Sequence, residues 1–234
     1  MSLLNDVKSN SVKDELNVVK LSTVALEQGM IVATALRLLD EVGLDGLTLR
    51  RLAAELGVQA PALYWHFKNK QVLLDAMAAA MAAQHEARPV LTDPALWREW
   101  VADNARRDRA MLNSRRDGAR LAAGTRPSPE MFALVERAVE TLERAGFAAV
   151  DAARGLFAVS GYVAGFVLEE QADRTRRGVD ESMPDMADFQ ARYPRLMAAL
   201  MEGGDPQGEQ SFEAGLALIL DGMWLRLSNG RAAN

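Results

Sequence analysis

From Thr48 to Lys70 the chain reads TLRRLAAELGVQAPALYWHFKNK, and this stretch limits the fold more than any other. Leu49, Leu52, Ala53 and Leu56 recur at the three- and four-residue spacing of a helix, and Thr48 stands where a helix N-cap is wanted. Gly57 ends that helix. Pro61 suits the first turn of a second short helix running to about Phe67. Asn69 can cap the helix that follows, KQVLLDAMAAAMAAQHEA. Aromatic residues make up only 6% of the sequence, yet Tyr64, Trp65 and Phe67 almost adjoin, with His66 between them. A helix turns about 100° per residue, so these rings cannot all face one core. Leu63 and Phe67, four apart, should face inward, leaving Tyr64 and Trp65 outward.

The same periodicity governs the rest of the chain. Ile31, Ala35, Leu38, Leu39 and Val42 predict a longer helix from about Thr23, closed by Gly43 in the left-handed C′ position. Further helices are expected at about 95–112, 128–145 and 150–175, and over SFEAGLALILDGMWLRL at the end. Alternating β-branched runs are scarce while Leu and Ala dominate, so the fold class is all-α. Residues 155–168 are apolar nearly all round, which predicts burial on more than one side, and Gly155, Gly161 and Gly165 would let a partner helix come close. Residues 88–94 form a proline-marked break, and residues 176–189 read as a polar loop. Residues 1–22 show no clear pattern and are expected to be a flexible extension, its lysines balanced by acids.

Composition narrows the function. Hydrophobic residues are 49% and charged residues 25%, as in globular chains. A net charge of −5 excludes a generic polyanion binder, so any nucleic-acid site must be a local patch. With no cysteine there is no disulfide, thiol nucleophile or thiolate metal site. No apolar run nears the roughly 18–20 residues of a membrane span, and no signal-peptide pattern opens the chain. A cytoplasmic protein without cofactor or membrane association is the expectation.

Two short helices across Gly57, behind a longer supporting helix, make a helix-turn-helix candidate. Gln59, Ala60, Pro61 and Ala62 are small or polar enough for close approach to base edges. Tyr64 and Trp65 can pack on thymine methyls and the sugar–phosphate backbone. Lys68 and Lys70 lie where a helix N-terminus also favours phosphate, and Arg50 opens the first helix of the pair. His66 either touches a phosphate or packs. Short helix–glycine–helix segments also occur in proteins that never touch DNA.

Residues 33–77, ATALRLLDEVGLDGLTLRRLAAELGVQAPALYWHFKNKQVLLDAM, resemble the DNA-binding head of the TetR family of bacterial repressors. Trp97, Asn104, RRDGAR (115–120), GTRP (124–127), Gly146-Phe147 and VLEEQ (167–171) extend the resemblance to the tetracycline-repressor branch, over roughly residues 23–175. It implies a head at 23–70, a ligand-binding and dimerisation domain at 71–234, a homodimer on palindromic double-stranded operator DNA, and release by a small-molecule inducer. It places Arg50, Pro61, Tyr64, Trp65 and Lys70 on operator-contacting positions. Ala60 falls where that branch has a base-reading Gln and Ala62 where it has a Thr, so the operator should differ.

The same resemblance marks the ligand positions. Asn104, Thr125, Arg126 and Glu169 match the branch. Ala122 falls on its magnesium-binding His, Glu86 on a drug-gripping His, Ala138 on a Gln and Asp108 on a pocket Phe. Losing the nitrogen ligand removes the main anchor of a metal–drug chelate, so no metal is expected and magnesium–tetracycline is not the expected inducer. Phe132, Phe147, Phe157, Tyr162 and Phe166 could wall an apolar pocket or be ordinary core. Glu169, Glu170 and Asp173 invite a metal or acid–base reading, but Glu169 and Asp173 share a helix face with arginines following at once, and the group reads as a solvated, salt-bridged helix end. Alternatives are an activator or inducer-free regulator on the same fold, and an all-α enzyme. The last is opposed by the lack of clustered His, a Gly-rich phosphate loop or any placeable nucleophile–base pair.

Overall fold

The structure, a computed structural model, describes residues 27–83, 90–176 and 186–232, the last four as backbone only. The expectations for residues 1–22, for Glu86 and for most of the 176–189 loop therefore lie outside the described residues. Among the described residues there is no strand, as the Leu/Ala-rich periodicity required.

Four helices build the head: α1 (Gln28–Gly46), α2 (Leu49–Glu55), α3 (Ala60–Tyr64) and α4 (Lys70–Ala83). Ile31, Ala35, Leu38 and Leu39 form the buried stripe of α1. They meet Leu52 of α2, Leu63 of α3, Phe67, and Leu73 and Met77 of α4 in one core. The punctuation falls where it was expected. The Thr48 hydroxyl accepts from the Arg51 N–H at 3.1 Å. The Asn69 side chain accepts from the Val72 N–H at 3.0 Å. Gly43 stands at φ +72°, and a Cβ there would also come within 2.9 Å of the Asp117 carboxylate. Conformation and space therefore both demand glycine.

The body comprises α5 (Trp97–Asn113), α6 (Gly118–Ala123), α7 (Pro129–Arg144), α8 (Ala149–Arg176), α9 (Met186–Arg192), α10 (Pro194–Gly203) and α11 (Glu209–Ala232). A 3₁₀ turn at Pro94–Leu96 leads into α5. Helix α8 is the central post, packed by α5, α6, α7 and α11. Its buried stripe is Ala152, Gly155, Val159, Val163 and Val167, then Glu170 and Gln171.

Five sequence expectations change. Helix α6 falls between Asp117 and Gly124 and is only 6 residues long, too short to show a period. Helices α9 and α10 were not anticipated, and α9 begins inside the expected loop, with Pro194 separating the two. Helix α8 is not buried on several sides within one protomer, because Phe157, Gly161 and Gly165 on its other side remain exposed. Gly155, expected to admit a partner helix, instead admits the chain's own Met223, whose Cε would lie 2.6 Å from a Cβ at that position. Finally, α8 is long and apolar enough to cross a membrane by length and composition, which the sequence reading missed. In the fold one face of that helix packs against α5, α6, α7 and α11, and the helix buries Glu170 and Gln171.

Head and body are joined by a polar clamp. Asp117, in the left-handed region at φ 56°, accepts from the Leu44 N–H at 2.8 Å through its carboxylate. Arg115 pairs with Asp40 at 2.7 Å. Arg116 donates its backbone N–H to Asp40 and its guanidinium to the Glu41 carbonyl. Arg120 holds Asp45 through two bonds of 3.0 and 3.1 Å, and its guanidinium keeps that carboxyl below the usual range. Leu121 of α6 inserts into the head core, while Met81 of α4 belongs to the body core.

The body has its own buried ion pair. Glu170, with a side chain 9% exposed, meets Arg109, 14% exposed, at 2.6 Å. Asn113 also donates to Glu170 at 2.7 Å. Burial by itself pushes the Glu170 carboxyl up, but the bonds from Arg109 and Asn113 and the charge of Arg174 outweigh it, leaving it below the ordinary carboxylate range. The Arg109 guanidinium lies 4.4 Å from the Phe212 ring centroid and also bonds Glu209, so α5, α8 and α11 meet at one cation. Removing one partner of a buried pair strands the other charge, so Glu170→Ala should cost about 3 kcal/mol in urea unfolding at pH 7. A carboxyl with a lowered folded pKa stabilises above its unfolded value, about 4.3, and loses that contribution as pH falls through the folded value. The gap between Glu170→Ala and the unaltered chain should therefore narrow below about pH 4. An equal gap at both pH values would refute the assignment.

Candidate nucleic-acid interface and ligand site

Helix α3 is fixed from beneath and bare above. Gly57 turns the chain at φ +67°, and the Val58 N–H returns to the Ala53 carbonyl at 3.0 Å, closing α2. Leu63 and Phe67 are buried in the head core. Immediately between them, Tyr64 is 54% exposed and Trp65 is 90% exposed. The division expected from helical angles therefore holds. Gln59, Pro61 and Lys68 are exposed, as is Arg50 in the first turn of α2, while Ala60, Ala62, His66 and Lys70 are half-buried. The His66 carbonyl accepts from the Gln28 side chain at 3.3 Å. Lys70 Nζ reaches the Leu44 carbonyl at 3.5 Å, which ties it to the kinked end of α1. The Trp65 indole is thus left almost wholly in water beside two fully packed neighbours.

The ligand positions are less unified. Asn104 is 5% exposed in the interior of the body. Its Nδ2 donates to the Trp100 carbonyl at 2.8 Å, but its Oδ1 is buried without a donor. A buried polar atom left unsatisfied costs about 1–3 kcal/mol, so it calls for a partner. Ala122, Ala138, Thr125 and Asp108 are half-buried. The Thr125 hydroxyl is taken up locally, donating to the Ala122 carbonyl at 2.9 Å. Arg126 is exposed, and its backbone N–H reaches Asp75 of α4 at 3.3 Å. Gln71 of α4 donates to the Gly124 carbonyl at 2.8 Å. Residues 124–126 are thus tied to the helix that leads into the head. Glu169 is exposed and lies 3.8 Å from Arg176, so within one protomer it is not brought to Asn104.

The aromatic walls divide. Phe147 stands edge-on to Trp97 at 4.9 Å and is core. Tyr162, Phe166 and Phe212 form a second core cluster, with the Tyr162 hydroxyl donating to the Phe212 carbonyl at 2.9 Å. Burial raises the Tyr162 pKa. Phe132 and Phe157 are exposed and enclose nothing within the protomer. On α7 only Leu142 is buried, while Met131, Leu134, Val135, Ala138 and Val139 are half-buried, so its apolar face is only partly covered. Two clefts of about 240 and 250 Å³ lie elsewhere, and neither is lined by Asn104, Thr125 or Arg126. Among the described residues no group of three or more His, Asp or Glu is placed to hold a metal ion.

Sequence reasoning missed the interior polar framework. Gln171 donates to the Leu112 carbonyl at 2.9 Å and accepts from the Ala119 N–H at 3.2 Å, fixing the start of α6 on α8. Gln171 carried a signal only as part of VLEEQ, and Glu170 was read with its exposed neighbours. Gln71 and Asp75 carried none beyond their i, i+4 spacing.

The comparisons with known proteins agree with this geometry. The model of bacterial regulatory proteins of the tetR family matches residues 31–77, and that of the tetracyclin repressor-like C-terminal domain matches residues 90–227. The class C tetracycline repressor protein of Escherichia coli is 43% identical over 201 residues, covering 85% of this chain and 90% of that protein. The solved class A TetR in complex with 5a,6-anhydrotetracycline and magnesium is 40% identical, with a TM-score of 0.65 over 86% of this chain and 99% of that one. The Streptomyces coelicolor protein ActR in complex with (S)-DNPA is 31% identical, with a TM-score of 0.71 over 87% of this chain and 99% of that one. With a buried helical scaffold presenting the exposed rings of Tyr64 and Trp65 at the end of α3, and with both family models matching in order, the chain belongs to the TetR family of bacterial transcriptional regulators.

Proposed function

We propose that the protein is a cytoplasmic, homodimeric repressor that grips a palindromic operator and is released by a small molecule other than magnesium–tetracycline. The observation that carries the DNA half is Trp65, 90% exposed between buried Leu63 and Phe67. Tyr64, Trp65 and Pro61 meet sugar and thymine methyls, Arg50 and Gln59 reach base edges, and Lys68, Lys70 and His66 take phosphates. Ala60 and Ala62 offer only apolar contact. An alanine cannot make the bidentate bond that a Gln makes to adenine, so this operator departs from the tetracycline operator at that base pair. Tyr64→Ala or Trp65→Ala should weaken operator binding at least about tenfold in gel shifts, while circular dichroism stays unchanged. Lys68→Ala should weaken all sequences alike and lower the salt slope by about one. Unaltered affinity in the aromatic variants would favour a different role for the head.

Dimerisation follows from the uncovered side of α8 and α11. Phe157, Leu218, Leu225 and Trp224 are exposed apolar residues, and nothing stands near Gly161 or Gly165. An isologous four-helix contact would cover them and set two heads at a fixed half-site spacing. Light scattering at micromolar concentration should give a dimer, and Phe157→Glu should shift it toward monomer. A stable monomer in the unaltered chain overturns the dimer.

For the ligand, the unsatisfied Asn104 Oδ1 supports a molecule that donates a hydrogen bond within an otherwise apolar site along α7. The magnesium of the class A complex does not fit these residues. Ala122 offers no nitrogen, and Glu169 is exposed beside Arg176. No step is therefore routed through a metal. Ligand binding beside residues 122–126 would act on α4 through Gln71 and Asp75, and on α1 through the 115–120 clamp, shifting the population of head separations. Isothermal titration with Mg²⁺ and tetracycline should show no submicromolar binding. Submicromolar affinity would sink the ligand half of the proposal and leave the DNA half standing.

A further inference from the structure

Leu44 is gripped from two sides. At the Gly43 kink its N–H is taken by Asp117 of the body at 2.8 Å. Its carbonyl accepts from Nζ of Lys70, the first residue of α4, at 3.5 Å. The next residue, Asp45, is held by the two bonds from Arg120 of α6, and Arg120 also lies 3.4 Å from Asp117. The kinked end of α1 thus stands between two charged groups of the body and the lysine that the head turns toward phosphate. A bond of 3.5 Å lies at the outer limit for a hydrogen bond, so the Leu44 carbonyl holds the ammonium loosely. The stronger acceptor is the neighbouring carboxylate, because a bond between two ionised groups is roughly twice as strong as a neutral one. The bonds from Arg120 keep the Asp45 carboxyl below its ordinary range, and the charge of Lys70 adds to that, so the ammonium already stands within electrostatic reach of Asp45.

We propose that Arg120 is a positioning residue for operator binding. By occupying the Asp45 carboxylate it leaves the Lys70 ammonium to an operator phosphate. When α6 withdraws Arg120, Asp45 turns to Lys70 and takes it from the DNA. Asp45 is exposed, so packing does not stop its side chain from turning. This role rests on the reading of the head as an operator-binding unit with Lys70 on a phosphate. It gives release an electrostatic component that a change in head separation lacks, because each captured ammonium is one phosphate contact fewer. The signal also has a short path. Arg120 lies two residues from Ala122, beside the ligand positions, and bonds directly to the residue that follows the Lys70 acceptor.

The test is the salt dependence of binding by the full-length protein, without inducer, to a labelled duplex from the promoter of its own gene. Arg120→Ala should weaken binding at least about tenfold and lower the salt slope by about one per head. Adding Asp45→Asn to Arg120→Ala should restore both, although the bonds of Arg120 to the head are still missing. A merely structural loss of the clamp would not be repaired in this way. Lys70→Ala should lower the slope by the same amount, and Arg120→Ala on top of it should lower the slope no further. An unchanged slope in Arg120→Ala, or no rescue by Asp45→Asn, overturns the role of Arg120 and leaves the operator reading standing. A slope unmoved by Lys70→Ala removes Lys70 from the phosphates, and the role of Arg120 falls with it.

Discussion

The carboxylate of Asp117 holds the two halves of the molecule in register. It sits in left-handed backbone, which an aspartate tolerates better than most residues but still at some cost. That cost is offset by its bond to the Leu44 N–H at the kink near the end of α1, where Gly43 leaves room for it. A partly buried bond to a charged acceptor is worth about 1.5–3 kcal/mol. The Arg120–Asp45 pair beside it is largely exposed and adds little by comparison, typically about 0–1 kcal/mol. Of the carboxylates in the joint, Asp117 is the best shielded, with a side chain 18% exposed. Leu121, buried in the head core from the body side, makes the joint apolar as well as polar.

Everything beyond this joint depends on its being stiff. Residues 124–126 hold α4 through Gln71 and Asp75, and residues 115–120 hold α1. The same short stretch of chain therefore touches both long helices of the head. Its far side rests on Gln171, whose amide bonds both ends of the α5–α6 connection. Such an arrangement favours discrete positions over continuous bending.

Much of this was legible in the sequence, and the failures have identifiable causes. Thr48, Gly57, Pro61 and Asn69 announced the head because capping and turn chemistry are local. Leu63 and Phe67 could be separated from Tyr64 and Trp65 because a helix fixes its angles. The short α6, and α9 and α10 on either side of Pro194, went unread because elements of 6 to 10 residues show little period. Gly155 was assigned to a partner helix because sequence cannot say whose side chain fills the space above a glycine. Glu170 was grouped with Glu169, although one residue along a helix is enough to move a carboxylate from solvent to the interior.

The sequence by itself determined the all-α class, the helix-turn-helix and the outward aromatics, since each follows from rules acting over a few residues. It also determined that positions 60 and 62 present only methyl groups, because an alanine side chain has no donor or acceptor in any fold. Only the tertiary structure decided that Asn104 keeps an unsatisfied acceptor, that Glu170 and Arg109 form a buried pair, and that Asp117 joins body to head. Those facts depend on residues 61 to 73 positions apart coming within a hydrogen bond's length. Local preference carries no record of such distances, and only packing sets them.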